Sequence, residues 1–249
     1  MTIDTAGKHF PKDPTCFRFD DEVSRIFPDM AKRSIPLYHD AHRLHARLVT
    51  EMLTEGAKIV DLGASRGQFF RTLSETHGDL CKRLHLIAID ASDDMCRYMR
   101  DEFSKDENLK EAIVHAESLE CTYLLAQFLN NCRVVNLNYV LQFIPTLFKQ
   151  NEVLRCICRS LPEGAILLLG QKYSVPAGLD ALMAKEYVEW RKANGYTEEE
   201  IHAKTAALKG SMLTRPPATI TRILEEEGFR YATTSQWLMF GTMIAVKHG

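Results

Sequence analysis

From residue 57 onward, short apolar runs rich in β-branched residues alternate with longer amphipathic stretches. This alternation is typical of a parallel sheet that is covered by helices. Five runs are predicted to be strands: 58–62, 85–90, 112–115, 133–138 and 165–169. Two more extended runs, 230–239 and 242–247, are expected to pair as a hairpin at the sheet edge. The pattern therefore predicts an α/β fold with a mostly parallel sheet.

Helical periodicity fills most stretches between these strands. Ser92 is placed to be the N-cap of one helix, because its side chain can accept a hydrogen bond from the first turn. Two other helices are predicted over 147–161 and 218–227, and glycine-containing turns follow both.

Two helical segments lie outside the alternation. The first, 17–56, is predicted to be an N-terminal cover, and the second, 173–213, is inserted after the fifth strand. The inserted segment contains the sequence of a capping box, Thr197 to Glu200. Both segments are expected to cover the carboxyl ends of the strands, where open α/β sheets bind their ligands. We expect a single domain over 1–249, with 173–213 as its lid.

Composition narrows the class of protein. The 249 residues are 45% apolar and 26% charged with a formal net charge of -2, which is ordinary for a globular protein and makes nucleic-acid binding an unfavoured prediction. No apolar run approaches the roughly 20 residues of a membrane span, and the N-terminus lacks a basic start followed by an apolar stretch. Seven cysteines without CxxC spacing suit a reducing compartment. We predict a cytoplasmic protein without membrane contact.

Two groups of polar residues have a plain structural interpretation. The basic residues of the lid alternate with acids and are expected to form a solvated face: Lys185, Arg191, Lys192 and Lys204. Three histidines, His39, His42 and His45, suggest a metal site, but His45 lies about 240° from His39 on a helix. Zinc usually needs three or four converging ligands, so an exposed or partly packed helix is favoured and no metal is predicted.

The stretch KIVDLGASRG, residues 58–67, is a strand that runs into a glycine turn. The dinucleotide fingerprint needs three glycines, and only Gly63 and Gly67 are present. The pattern instead resembles motif I of class I S-adenosylmethionine (SAM) dependent methyltransferases. In that motif Asp61 would face the methionine end of SAM, and the Gly63 backbone would pass close to it.

A second acid supports this interpretation. Asp90 ends the next strand, and a carboxylate there can accept hydrogen bonds from both ribose hydroxyls. The alternative is that Asp61 and Asp90 only cap the helices that follow them, since aspartate is a favoured cap.

Longer segments resemble the carboxy-SAM synthase family over roughly residues 17–247. The resemblance rests on FPDMAKRSIPLY at 27–38, NLNYVLQF at 136–143, RKANGY at 191–196, SML at 211–213 and FG at 240–241. It implies a Rossmann-like class I methyltransferase fold with a mostly parallel seven-stranded sheet, and a homodimer. Family members convert SAM and prephenate into carboxy-SAM.

The resemblance also implies a set of SAM contacts. Four residues would contact SAM directly: Tyr38, Gly63, Asp90 and Asn138. Turn residues are expected to contribute backbone contacts: Ala64, Ser65 and Ala91. Near the adenine, Glu117 would accept from the amino group and the Ser118 N–H would meet a ring nitrogen.

One departure concerns the reaction. In the family, an arginine on the helix after the ANGY string binds the extra carboxylate of carboxy-SAM, and Thr205 holds that place here. A threonine cannot replace the bidentate guanidinium, and Lys204 would leave the helix about 100° away. The sequence therefore disfavours carboxy-SAM synthesis.

The remaining candidate chemistry is centred on the sulfonium. Tyr38, Tyr139 and Tyr173 are expected near it, although Tyr139 can also be read as a core residue of a buried strand. Asn138, Tyr139 and Tyr173 are the candidate catalytic residues. We hypothesise methyl transfer to a small acceptor. The alternatives are cyclisation of SAM to azetidine-2-carboxylate with release of methylthioadenosine, and a non-catalytic SAM-binding regulator.

Overall fold

A seven-stranded sheet forms the centre of the protein in a computed structural model that describes residues 19–248. Its strands are β1 (Lys58–Leu62), β2 (His85–Asp90), β3 (Ile113–Ala116), β4 (Cys132–Asn138), β5 (Ile166–Lys172), β6 (Phe229–Trp237) and β7 (Phe240–Lys247). They lie in the order β3-β2-β1-β4-β5-β7-β6, in which β1 to β5 are mutually parallel and β7 is antiparallel to both of its neighbours. The predicted mostly parallel sheet and edge hairpin are confirmed.

Helices cover both faces of the sheet and its carboxyl edge. They are α1 (Asp21–Ser34), α2 (Tyr38–Thr50), α3 (Gln68–Cys81), α4 (Asp93–Phe103), α5 (Thr122–Leu129), α6 (Leu147–Ser160), α7 (Asp180–Ala193), α8 (Glu198–Leu208) and α9 (Pro217–Glu226). Two predicted start signals are confirmed. The Ser92 side chain accepts from the Met95 N–H, and both hydrogen bonds of the Thr197–Glu200 capping box are present.

The central parallel strands β1, β4 and β5 are buried on both faces, which explains their continuous apolar runs. One face packs Val60, Val135 and Leu167 against α5, α6 and α9, and the other packs Ile59 and Val134 against α2, α3 and α4. The sequence signal for these three strands is strong because none of their positions is exposed, whereas the edge strand β3 has exposed residues at both ends.

Strand β5 differs from its prediction in length. The apolar run ends at Leu169, but the strand continues to Lys172 because β7 pairs with it along its whole length, from Ile166 with Val246 to Lys172 with Phe240. The last three residues of β5 are therefore strand through tertiary pairing, and this places Lys172 at the edge that carries the ligand site.

Ser34, at the end of α1, is the centre of a hydrogen-bond cluster that joins the N-terminal cover to the lid. The Tyr187 hydroxyl donates to the Ser34 carbonyl oxygen at 2.5 Å, and the hydroxyl oxygens of Ser34 and Tyr196 lie 2.9 Å apart. The Lys204 ammonium donates to the Ser34 hydroxyl. The expectation that Lys204 lies on a solvated face is wrong, because α8 turns its buried side chain toward α1.

The part of the cover before residue 19, and Cys16 with it, lie outside the described residues. Within 19–248, no helix combines the length and the apolar character that crossing a membrane requires.

Replacing Ser34 by alanine tests the junction between cover and lid. We expect Ser34→Ala to lower the free energy of unfolding by about 1–3 kcal/mol, because a buried ammonium and a buried phenol each lose a partner. Urea denaturation of both proteins measures this. The matched control is Ser104→Ala, which removes an exposed hydroxyl bonded only to the Asp101 carbonyl oxygen at 2.9 Å. Equal effects of the two substitutions would contradict the assignment.

Candidate functional site

A cavity of about 930 Å³ opens at the carboxyl ends of β1, β2, β4 and β5. Each of these strands contributes a polar residue to its wall: Asp61, Asp90, Asn138 and Lys172. Helices α1, α2, α7 and α8 close over it. Its volume is at the upper end of the roughly 300–1,000 Å³ of small-molecule sites, and its position is the one that open α/β sheets use.

The turn after β1 needs glycine at its first position. Gly63 has φ +64°, and a Cβ there would lie 2.4 Å from Cγ2 of Val140. Beyond it, the Ala64 N–H donates to the Ile89 carbonyl oxygen at 2.9 Å. The Ser65 N–H donates to Oδ2 of Asp90 at 2.7 Å. The turn is thus fixed against β2 with its backbone facing the cavity.

Asp90 lines the cavity and is not a helix cap. Its Oδ1 accepts from the Ser92 N–H at 2.9 Å, while the Ser92 side chain caps α4. Burial raises the pKa of Asp90, and hydrogen bonds from backbone N–H groups oppose that shift. A carboxylate has about four acceptor positions, so two remain for a ligand.

Asp61 is 2% exposed and presents one oxygen without a partner. Its Oδ1 accepts from Nδ2 of Asn136 at 2.6 Å, whereas Oδ2 has no hydrogen-bond partner among the described residues. The pKa of Asp61 is raised to about 7: burial is the main cause, the Asn136 hydrogen bond opposes the rise, and the nearby charge of Asp90 adds to it. The α3 N-cap is Gly67, so the capping alternative for Asp61 is wrong. A buried carboxylate oxygen at a cavity wall fits a ligand ammonium or hydroxyl.

A chain of polar side chains runs from Asp61 into the protein. Asn138 donates from Nδ2 to Oδ1 of Asn136 at 2.7 Å and lies 3.3 Å from Nδ1 of His45. His45 Nε2 lies 3.1 Å from the Thr234 hydroxyl. Oδ1 of Asn138 has no partner within residues 19–248, so Asn138 is held by its amide nitrogen and offers its oxygen. Asn136 and His45 were missed by the sequence argument.

Two histidines of α2 are more buried than the sequence predicted. His42 and His45 are 4% and 0% exposed, not on an exposed or partly packed helix face. Burial lowers the pKa of His42 to about 3 and that of His45 to about 4, so both are neutral. Their burial follows from the spacing of the inward positions of α2: Tyr38, Ala41, His42, His45, Ala46 and Val49. In the described part of the chain, no group of three or more His, Cys, Asp or Glu side chains could hold a metal ion.

Aromatic rings form the wall beyond Asn138. Ring centroids lie 6.2 Å apart for Tyr38 and Tyr139, 6.5 Å for Tyr139 and Phe240, and 5.1 Å for Tyr187 and Phe240. Aromatic faces at such positions suit a sulfonium. Tyr173 is not part of the cavity wall, because side chains alternate along β5 and its neighbour Lys172 faces the cavity instead. Tyr187 and Phe240 stand where Tyr173 was expected.

The expected adenine contacts are divided. Ala91 and Ser118 line the cavity, and Glu117 does not, although its N–H donates to the Asp90 carbonyl oxygen at 2.9 Å. At the opposite end, Thr205 lines the cavity, but its hydroxyl donates to the Ile201 carbonyl oxygen at 2.7 Å. The Thr205 hydroxyl hydrogen is therefore used in a hydrogen bond within α8 and does not point to a ligand.

The expectation that Arg191 lies on a solvated face of the lid is also wrong. It is 7% exposed, lines the cavity and lies with its Cζ 4.4 Å from the centroid of the Tyr187 ring. Lys172 lies on the same wall, with its Nζ 5.3 Å from that centroid. Lys172 lies past the end of the predicted fifth strand, so the apolar pattern gave no signal for it.

Solved structures resemble this fold. The CurJ carbon methyltransferase matches with a TM-score of 0.62 at 14% identity, covering 92% of this chain and 61% of the other. A putative O-methyltransferase from Nostoc punctiforme matches with a TM-score of 0.60 at 15% identity, covering 91% and 59%. The plantazolicin methyltransferase BpumL, solved with S-adenosylhomocysteine, matches with a TM-score of 0.60 at 10% identity, covering 90% of each chain. This chain thus spans about three fifths of the first two. The fold is that of the class I methyltransferases.

Sequence relatives are more specific. Carboxy-S-adenosyl-L-methionine synthase of Haemophilus ducreyi is 31% identical over 236 residues, covering 93% of this chain and 92% of the relative. The enzyme of the same name from Actinobacillus pleuropneumoniae serotype 7 is 32% identical over 239 residues, covering 93% of each chain. No family model matches the chain. The protein belongs to the carboxy-SAM synthase family. By family and fold it is a SAM-dependent enzyme of the transferase type, with SAM as its cofactor.

Asp90→Asn tests the ribose end of the site. We expect the Kd for SAM to rise about 10- to 100-fold, because an amide replaces a charged acceptor of two hydrogen bonds. Isothermal titration calorimetry measures it. Asp93→Asn is the matched control, since Asp93 is exposed in the first turn of α4. Unchanged affinity in Asp90→Asn would remove Asp90 from the ribose site.

The raised pKa of Asp61 predicts a pH-dependent stability. The unfolded carboxyl titrates near 3.8 and the folded one near 7, so the folded protein holds an extra proton between these values. Its contribution to the free energy of unfolding therefore falls as pH rises through this window and is constant above it. His42 and His45 contribute the opposite slope, so the informative quantity is the difference between wild type and Asp61→Asn.

Urea denaturation at several pH values from about 4 to 8 measures that difference. Wild type should lose stability relative to Asp61→Asn as pH rises toward 7. A difference that does not vary with pH would show that the folded Asp61 titrates normally.

Proposed function

We propose that the protein transfers the methyl group of SAM to a small acceptor bound in the same cavity. The supporting observation is the length of the site. Asp90 and Asp61 suit the ribose and methionyl parts of SAM at the ends of β2 and β1. The cavity continues past β4 to Lys172 on β5, which is about 14 Å from β2 at the usual strand spacing. That continuation is room for a second molecule.

The residues present fit SAM. The unpartnered oxygens of Asp61 and Asn138 and the close backbone at Gly63 are suited to its methionyl part. Asp90 would accept the ribose hydroxyls, the Ser118 backbone would contact the adenine, and Tyr38 and Tyr139 would face the sulfonium. SAM supplies an activated methyl group that a nucleophile can take, while the sulfur keeps the electron pair of the broken bond.

Methyl transfer depends on alignment more than on an acid or a base. Tyr139 is held for such a role: its φ is +62°, its N–H donates to the Gly170 carbonyl oxygen at 2.6 Å, and its ring lines the cavity. A left-handed tyrosine is strained, and strain of this kind concentrates at functional sites. Asn138, anchored through Asn136, would orient the reactants. The acceptor's proton would leave to solvent.

Cyclisation of SAM is a second candidate, and the state of Asp61 favours it. Its unpartnered oxygen and its pKa of about 7 suit a base that takes a proton from the α-amine near neutral pH. The nitrogen would then bond to Cγ and the Cγ–S bond would break. Azetidine-2-carboxylate would form, and methylthioadenosine would leave with the electron pair. Neutral His42 beside Tyr38 adds no positive charge that would repel the α-ammonium group as SAM binds.

The reaction named for the curated relatives, carboxy-SAM synthesis, is the third outcome to test. Thr205 argues against it, since its hydroxyl is bonded within α8. A SAM-binding regulator without turnover is the fourth. We also keep the homodimer as a proposal: the lid exposes two large apolar side chains, Leu182 in α7 and Leu179 just before it. A cytoplasmic location stays a prediction.

Product analysis separates these reactions. Purified protein is incubated with SAM alone, with SAM and prephenate, and with SAM and a pool of small metabolites, and mass spectrometry identifies the products. We expect S-adenosylhomocysteine and a methylated acceptor in the third tube only. Asp90→Asn should lose this product at low SAM concentration, while Asp93→Asn retains it.

Other products would replace the proposal. Methylthioadenosine with azetidine-2-carboxylate from SAM alone would establish cyclisation, and carboxy-SAM in the prephenate tube would establish the relatives' reaction. SAM left intact in all tubes, with binding shown by calorimetry, would favour the regulator.

A further inference from the structure

Two cations from different elements converge on one wall of the cavity. Lys172 is the last residue of β5, and Arg191 lies in the last turn of α7. Both flank the ring of Tyr187, with Lys172 Nζ at 5.3 Å and Arg191 Cζ at 4.4 Å from its centroid. Lys172 Nζ also lies 5.6 Å from the Phe240 centroid. Tyr187 is therefore a shared platform for the two charges.

Neither cation has an acidic partner in the described chain. Neither makes an ion pair or a side-chain hydrogen bond within residues 19–248, and the buried Nε of Arg191 is unpartnered. Burial, together with the like charge of Arg191, lowers the pKa of Lys172 to about 8. A buried and a half-buried cation next to each other without a counterion are unfavourable, and a bound anion would offset that cost.

The charges of the cavity wall are segregated. Of its acids, Asp61 and Asp90 lie near the ends of β1 and β2, and Glu120 follows β3. Its cations lie on β5, α7 and α8, and of these Lys204 is bonded to Ser34 and Tyr196. A ligand that is cationic at one end and anionic at the other, or two ligands of opposite charge, would match this arrangement.

We infer that Lys172 and Arg191 form a binding subsite for a carboxylate in this cavity. The guanidinium fork offers a carboxylate two parallel hydrogen bonds, and the ammonium adds a third donor. A phosphate dianion fits less well, because Arg191 lies at the negative end of the α7 dipole. The subsite places the anion-binding groups on β5 and α7 rather than at Thr205 on α8.

The carboxylate has two chemical sources. It can belong to an acidic second substrate, in which case the inference extends the proposed methyl transfer and rests on it. It can also be the carboxylate of SAM itself, with the methionyl chain reaching toward β5. The binding experiment distinguishes the two without requiring turnover.

Intrinsic fluorescence gives a direct signal. The chain has two tryptophans, Trp190 and Trp237. The Trp190 ring stacks on Tyr187 with centroids 6.1 Å apart, and the two tryptophan rings lie 5.4 Å apart. Both therefore report on the Tyr187 platform.

The test compares Lys172→Met and Arg191→Met with wild type. The control variant is Lys185→Met, because Lys185 is exposed and lies in α7 with Arg191. Each protein is titrated with SAM, with methylthioadenosine, which lacks the carboxylate, and, when SAM-loaded, with acetate, pyruvate, phenylpyruvate, prephenate and inorganic phosphate. Circular dichroism confirms folding, and Arg191→Lys tests rescue by a conserved charge.

For a second-substrate carboxylate, we expect one of the organic acids to bind the SAM-loaded wild type and to bind each Met variant about 10- to 100-fold more weakly. For SAM's own carboxylate, we expect the same loss for SAM and none for methylthioadenosine. Lys185→Met should match wild type in both cases, and Arg191→Lys should recover part of the affinity. Unchanged binding of SAM and all acids in folded Met variants, or preferential binding of phosphate, would overturn the inference. Absent methyl transfer with carboxylate binding intact would contradict only the proposed function.

Discussion

The parallel pairing of β1, β2, β4 and β5 is the constraint on which the site depends. Parallel strands bring their carboxyl ends to one edge, so residues separated by more than 100 positions, such as Asp61 and Lys172, share a cavity. The hydrogen bond from the Ser65 N–H to Asp90 then ties the first turn to the second strand. Without that strand register, Asp61 and Asp90 would not lie close enough to bind one ligand.

The cavity is closed by helices that the sheet does not require. Ser34 joins α1 to α7 and α8 through Tyr187, Tyr196 and Lys204. This junction positions Tyr187, and Tyr187 in turn carries Arg191 and Lys172 on its ring. The added helices therefore do more than close the cavity. Most acidic residues of its wall lie on the sheet, and most of the cationic residues lie on the lid.

The buried polar chain from Asp61 to His45 connects the site to the packing of α2. Buried amides and imidazoles are tolerated when they are hydrogen-bonded, and here the chain satisfies Asn136 and His45 while leaving acceptor atoms of Asp61 and Asn138 toward the cavity. Burial of this chain raises the pKa of Asp61, against the opposing hydrogen bond from Asn136, and keeps the histidines neutral by lowering their pKa values. Ligand affinity and protein stability are thereby linked through one carboxyl group.

The sequence by itself determined the approximate positions of the strands, several helix ends, the glycine turn and the paired acids. These features are local, because continuous apolar runs, capping side chains and glycine turns each depend on residues that are neighbours in the sequence. The resemblance of whole segments added the family and SAM.

Tertiary structure decided the rest, because it depends on what meets across the chain. Pairing with β7 extended β5 and turned Lys172 rather than Tyr173 into the cavity. Packing of α7 and α8 on α1 buried Arg191 and Lys204, whose sequence neighbours are those of a solvated face. The local charge pattern cannot reveal such burial, since it depends on contacts that are distant in sequence: Ser34, which accepts the hydrogen bond of Lys204, lies 170 residues before it.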